Sequence, residues 1–104
     1  MTIELDAMHE AAEDAARLLR TLANPDRLML LCRLSQGEAS VGELEAELGI
    51  LQPTLSQQLT VLREEALVET RREGKYIFYR VASARPLAVL KVLYDQFCAR
   101  KGSK

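Results

Sequence analysis

Gln52-Pro53-Thr54-Leu55-Ser56-Gln57-Gln58-Leu59-Thr60-Val61-Leu62, continued after a short break by Leu67-Val68-Glu69-Thr70-Arg71-Arg72-Glu73-Gly74-Lys75-Tyr76-Ile77-Phe78-Tyr79-Arg80-Val81, is the stretch whose reading decides the fold. Its first part has helical periodicity, because Leu55, Leu59, Leu62 and Ala66 follow at steps of four, three and four and make one apolar stripe. Ser56, Gln57 and Thr60 then lie on the opposite side. Pro53 suits the first helical turn, where its missing N–H costs nothing, and leaves Gln52 and Thr54 at the helix N-terminus. Side chains of this size and chemistry reach base edges or phosphates when a helix end enters the major groove. The second part predicts two strands. Tyr76–Val81 is β-branched and aromatic, and it pairs with Leu67–Thr70 through a charged turn, Arg71-Arg72-Glu73-Gly74-Lys75. Arg71, Arg72 and Lys75 at the hairpin tip are free in this reading to meet phosphates. A solvated helix and an ordinary polar-tipped hairpin is the plainer alternative, but the two elements agree on one use.

Charge supports that use by its distribution. The net charge is −1, with a pI near 5.8, so non-specific affinity for DNA is expected to be modest. Residues 1–50 hold ten Asp/Glu against four Lys/Arg, whereas residues 51–104 hold ten Lys/Arg against five Asp/Glu. The basic half is the half with the helix and hairpin, an oriented electrostatic footprint. Arg100, Lys101 and Lys104 account for part of it, as complements to a helix end.

Upstream, the pattern is helical. Met8, Ala12, Ala15 and Leu19 recur through a first helix over Leu5–Thr21. Asn24-Pro25 gives an N-cap and a proline at the first position of a helix whose Leu28, Met29, Leu30, Leu31, Cys32 and Leu34 are apolar nearly all round, so it belongs in the middle of the domain. Ser40-Val41-Gly42-Glu43 is a capping box, Val41, Leu44 and Leu48 form a buried stripe, and Gly49 ends that helix. Gly49–Gln52 is the tight turn into the reading helix. A last helix runs from near Ser83 to about Arg100 with Leu87, Leu90, Leu93, Tyr94 and Phe97 on one face. The expected fold is mainly α with a small β-hairpin wing: one winged helix-turn-helix domain over residues 1–104, dimeric through its first and last helices. At 104 residues, with 48% hydrophobic and 28% charged residues, one domain with a real core is expected. No apolar run is long enough to cross a bilayer and the N-terminus is acidic, which predicts a cytoplasmic protein with no membrane partner.

Catalytic chemistry has little to build on. Cys32 and Cys98 are the only cysteines and His9 the only histidine, with no CxxC pair, no metal-ligand cluster and no Gly-rich phosphate loop. The expectation is no enzyme, no cofactor and no metal. Cys32 follows Leu28 by four residues and Cys98 follows Tyr94 by four, so both project from largely apolar faces. Two inert core thiols are one reading; a transient, regulatory bond between them is the other.

Leu22-Ala23-Asn24-Pro25-Asp26-Arg27-Leu28, the Gln52–Leu59 helix and the Glu73-Gly74-Lys75 turn resemble the ArsR-type repressors, small dimeric winged-helix proteins, over nearly the whole chain. Many members carry a Cys-x-Cys metal motif on the helix that here reads Val41–Leu48, and others bind metal through Asp and His on the last helix. Neither set is present. What remains resembles the sulfide-responsive BigR/SqrR branch, in which a cysteine on the second helix and one on the last act as a pair. The matching positions are Cys32 and Cys98. The resemblance implies that reactive sulfur species such as persulfides join the two thiols by a disulfide or longer sulfur bridge, and that the protein then leaves its double-stranded operator DNA and frees sulfide-detoxification genes. Gln52, Thr54, Ser56, Gln57 and Thr60 are the expected helix contacts to DNA, and Arg71, Arg72 and Lys75 the wing contacts. Two alternatives stand beside this: a repressor of the same fold that senses peroxide or another oxidant, and a winged-helix module that binds protein.

Overall fold

The computed structural model describes residues 1–99, and the helix opened by Asn24 and Pro25 lies at its centre. Helix α1 is Leu5–Leu22, α2 Pro25–Leu34, α3 Val41–Leu48, α4 Thr54–Glu64 and α5 Ala84–Tyr94. Strands β1 (Ala39–Ser40), β2 (Val68–Glu73) and β3 (Tyr76–Val81) form one antiparallel sheet in the order β1-β3-β2. The local signals for the helix ends hold. Asn24 accepts the Arg27 N–H at 3.0 Å. Ser40 and Glu43 exchange both capping-box bonds, at 3.2 and 2.8 Å. Gly49 ends α3 in the left-handed region, at φ +70°. Leu30, Leu31 and Leu34 of α2 are buried with Leu22, Leu44, Leu55, Leu59, Leu62 and Leu90, so every other helix leaves at least one leucine in the core around α2.

Three local expectations change. Ala66 is not the last residue of the α4 stripe. The helix ends at Glu64, Ala66 turns into the left-handed region at φ +62°, and Leu67 goes into the core in its place. The Leu67 N–H bonds the Leu62 carbonyl at 2.9 Å and the Ala66 N–H bonds the Arg63 carbonyl at 3.0 Å, the double closure of a Schellman motif with alanine where glycine usually stands. The charged turn contracts as well. The register runs from Val68 opposite Val81 to Glu73 opposite Tyr76, so only Gly74 and Lys75 are left to turn, with Gly74 at φ +61°. Arg71, Arg72 and Glu73 are therefore strand residues. The sheet also gains β1, where Ala39 faces Tyr79 and Ser40 faces Phe78.

The last helix begins after Ser83, which accepts the Arg85 N–H at 3.2 Å. It changes at Asp95 to a π-helical turn, Asp95–Ala99, and the expected end at Arg100 lies outside the described residues, as do Lys101 and Lys104. Leu90 is buried and Leu87 and Leu93 are half-buried, but Val92, Tyr94 and Phe97 each keep more than half of their surface open, as do Leu5 and Leu19 on α1. No helix among the described residues is long and apolar enough to cross a membrane.

Because alanine is strained at the left-handed position, Ala66→Gly should stabilise the fold by about 1 kcal/mol, read as a higher urea midpoint. Leu59→Ala should cost about 2–5 kcal/mol in the same measurement, as expected for a leucine truncated in a full core.

Candidate nucleic-acid interface

The interface is built on α4, whose inner face is fixed by Leu55, Leu59 and Leu62, all but fully buried. That burial turns Thr54, Ser56, Gln57 and Thr60 outward, and all four are exposed. Pro53 stands one position before the helix proper, as its N-cap, and offers no side chain to the free N–H groups. Gln52 does so instead. Its Oε1 accepts the Ser56 N–H at 3.1 Å and the Ser56 hydroxyl at 2.7 Å, which closes the helix start from outside. Gln52 and Ser56, both placed by the sequence among the reading residues, thus also hold each other.

Arg27 and Gln58 have a part that the sequence did not reveal. Arg27 lies in the first turn of α2 and is half-buried. Its Nε–H donates to the Thr21 carbonyl at 2.6 Å and its Nη1 to Gln58 Oε1 at 2.7 Å, which joins the end of α1 to α4. A second tie is the bidentate pair of Arg17 on α1 with Glu65 after α4, at 2.7 and 3.1 Å. The guanidinium holds the Glu65 carboxyl below the usual carboxylate range. Gln58 carried a signal only in its position on α4; its half-burial depends on where α2 lies.

In the wing the three basic residues differ. Arg71 is not free at a tip. Its Nε and Nη2 donate to both oxygens of Glu38 at 2.8 and 2.9 Å, its Nη1 to Glu73 at 3.0 Å, and its guanidinium lies 4.6 Å from the centre of the Phe78 ring. The physical reason is the longer β2, which sets Arg71 opposite Phe78, the residue that also pairs with Ser40 of β1 beyond. Arg71 in turn keeps the Glu38 carboxyl below its ordinary range. Arg72, opposite Ile77, is exposed and has no ion pair among the described residues. Lys75 is exposed in the turn, with its ammonium 5.8 Å from the centre of the Tyr76 ring.

The cysteines occupy unlike settings. Cys32 on α2 is half-buried, Cys98 in the π-helical turn is exposed, and both are free thiols, so the expectation that both stand on apolar packed faces holds only for Cys32. Burial pushes the Cys32 thiol up, and the charge of Cys98 adds to the same direction. Among the described residues no group of three or more His, Cys, Asp or Glu side chains is placed to hold a metal ion.

A helix-turn-helix made of α3 and α4, followed by a two-stranded wing, defines a winged helix-turn-helix protein, a class built to present one helix to DNA. Residues 24–70 match the bacterial regulatory protein, arsR family. The biofilm growth-associated repressor of Agrobacterium fabrum is 60% identical over 97 residues, covering 93% of this chain and 83% of that one. The crystal structure of the transcriptional repressor BigR from Xylella fastidiosa superposes with a TM-score of 0.89 at 53% identity, covering 92% of this chain and 98% of that one. The homodimeric winged helix-turn-helix DNA-binding domain Mb0332 of Mycobacterium bovis superposes with a TM-score of 0.72 at 35% identity, covering 94% of each. The chain belongs to the ArsR family of bacterial regulatory proteins.

Each lost phosphate contact lowers the magnitude of the salt slope of DNA binding by about 0.9, so Arg72→Ala and Lys75→Ala should each flatten it by that amount. Arg71→Ala should change it much less, since its charge is already met by Glu38. The Glu38–Arg71 pair is present at neutral pH and should open only as pH falls through the depressed carboxyl pKa. The Glu38 carboxyl resonance, followed across an acid titration, should therefore move below the usual carboxylate range and not within it.

Proposed function

We propose that this chain is a transcriptional repressor that binds two-fold operator DNA as a homodimer and lets it go when reactive sulfur species bridge Cys32 to Cys98. The observation that carries the DNA-binding part is the exposed Thr54, Ser56, Gln57 and Thr60 face of α4 beside a wing that leaves Arg72 and Lys75 exposed. Gln52 and Thr54 lie at the helix end that enters the groove first, and Arg71 braces the wing through Glu38, Glu73 and the Phe78 ring. Repressor function agrees with what the Agrobacterium and Xylella relatives are named for.

The dimer in this proposal forms through α1, α5 and the π-helical turn after it, whose open Leu5, Leu19, Val92, Tyr94 and Phe97 have too little of the chain's own core to cover them. It agrees with the homodimeric state of the Mycobacterium bovis domain. The whole chain then acts as one domain, in the cytoplasm, with no cofactor.

For the signal, the unequal settings of the two thiols favour one order. The exposed Cys98 thiolate attacks the outer sulfur of a low-molecular-weight persulfide, gains that sulfur as Cys–S–SH and releases the thiol it came from. The Cys32 thiolate then attacks the inner sulfur of Cys98 and expels hydrosulfide, so two cysteine thiols are oxidised and one sulfane sulfur is reduced to sulfide. If both cysteines are first persulfidated, the same displacement gives a trisulfide and one hydrosulfide. Since burial raises the Cys32 pKa, closure of the bridge should quicken as pH rises through the alkaline side of the usual thiol range.

The test is binding of the reduced protein to a promoter fragment before and after glutathione persulfide, with intact mass on the same samples. Expected is loss of binding with a Cys32–Cys98 bridge in the wild type, and a persulfide held on Cys98 with binding kept in Cys32→Ser. Full binding by the bridged protein would contradict the sensing. Release by hydrogen peroxide through the same bridge, with no response to persulfide, would assign the signal to a general oxidant. A reduced protein that binds no promoter DNA at all would leave the wing and α4 to a protein partner.

A further inference from the structure

Arg27 makes more side-chain hydrogen bonds to other helices than a helix-starting residue needs. Its Nε–H and Nη2 donate to the Thr21 and Arg20 carbonyls at 2.6 and 3.4 Å, in the last turn of α1. The Thr21 carbonyl would need an N–H from Pro25, which proline lacks, while that of Arg20 takes the Ala23 N–H at 3.3 Å; both lie at the negative end of the helix dipole, which suits a fixed guanidinium. The remaining arm, Nη1, reaches Gln58 Oε1 at 2.7 Å. Gln58 adjoins Gln57 and lies between Ser56 and Thr60, yet it is half-buried where those three are exposed. It therefore belongs to the side of α4 that is held.

We propose that Arg27 is the positioning residue of the reading helix: through Gln58 it fixes the direction in which α4 leaves the end of α1, and with it the match between the exposed face of α4 and the bases. The proposal rests on α4 being the helix that contacts DNA. The buried Leu55, Leu59 and Leu62 hold α4 by its inner face, but apolar packing is non-directional. Two directional ties add the aim: Arg17–Glu65 at the C-terminal end, with Arg17 largely exposed, and the more enclosed Arg27–Gln58. Loss of Gln58 as an acceptor thus costs sequence discrimination, which needs aim, far more than it costs general attraction to phosphate, which does not.

The experiment uses a duplex that the wild-type protein selects from a randomised pool, and a scrambled duplex of the same composition. Arg27→Lys keeps the charge but cannot reach three acceptors at once, and Gln58→Leu removes the acceptor at a site where leucine is a good helix former, so one variant remains if the other does not fold. Each should weaken the selected complex about tenfold, the usual order for a hydrogen bond to a charged group, and change the scrambled complex less than about twofold. The double variant should lose no more than the weaker single one. Gln58→Glu should restore most of the affinity, because a carboxylate accepts the Arg27 bond but would repel DNA if position 58 faced phosphate. Losses that add, losses equal on both duplexes, or a Gln58→Glu protein as weak as Gln58→Leu would overturn the role of Arg27. So would variants that bind like the wild type. A wild type that selects no duplex would instead overturn the DNA-reading function itself.

Discussion

The packing of α2 sets the rest of the fold, because among the described residues this one helix touches α1, α3, α4, α5 and β3. Leu30 and Leu31 are fully closed from solvent, and Leu34 nearly so. A helix in that position can move only by disturbing packing on several sides, so its neighbours inherit its placement. The same ten residues carry Arg27 at one end and Cys32 toward the other. Interior packing, the tie to α4 and one of the two thiols are thus on a single rigid piece about 15 Å long.

In the proposed function, this arrangement would give a change at Cys32 a way to act on α4. A bridge from Cys32 would fasten α2 to the π-helical turn after α5, one of the two helices whose apolar faces stay open. The two reading helices of a dimer must meet half-sites about one DNA turn, ~34 Å, apart, so a small rotation of each subunit spoils both contacts together. A coupling of only ~1–3 kcal/mol between the bridged and DNA-bound states changes occupancy severalfold to a hundredfold. The wing takes a smaller share. Arg71 is committed to Glu38, Glu73 and the Phe78 ring, which leaves Arg72 and Lys75 as its unpaired charges among the described residues.

Much of this was legible in the chain because it is local. Asn24-Pro25, the Ser40–Glu43 box and Gly49 mark helix ends by side-chain chemistry that acts within three or four residues, and the leucine spacing of α4 fixes which of its sides faces out. The features that escaped are those decided by distant neighbours or by an exception to a local rule. Ala66 continues the apolar period and lacks the glycine that announces a helix end, so the reversal at that residue could not be read. Strand β1 has two residues, too few for any period, and exists because Phe78 and Tyr79 offer it a partner. The ties Arg27–Gln58 and Arg71–Glu38 span 31 and 33 residues, and neither partner is marked by sequence as belonging to the other. A pairing of the thiols is implied by the resemblance alone; their unequal exposure comes from the burial of α2 and the open end of α5.

If bridging the thiols moves the reading helices of the proposed dimer, the distance between those helices must change. A spin label on an unnatural amino acid at Arg63, exposed near the end of α4 and free of any assigned contact to DNA, would report it in the dimer by pulsed electron resonance. The reduced protein should show one narrow distance, unchanged on binding operator DNA, and a different distance once glutathione persulfide has joined Cys32 to Cys98. The same distance in the reduced and bridged proteins would contradict it.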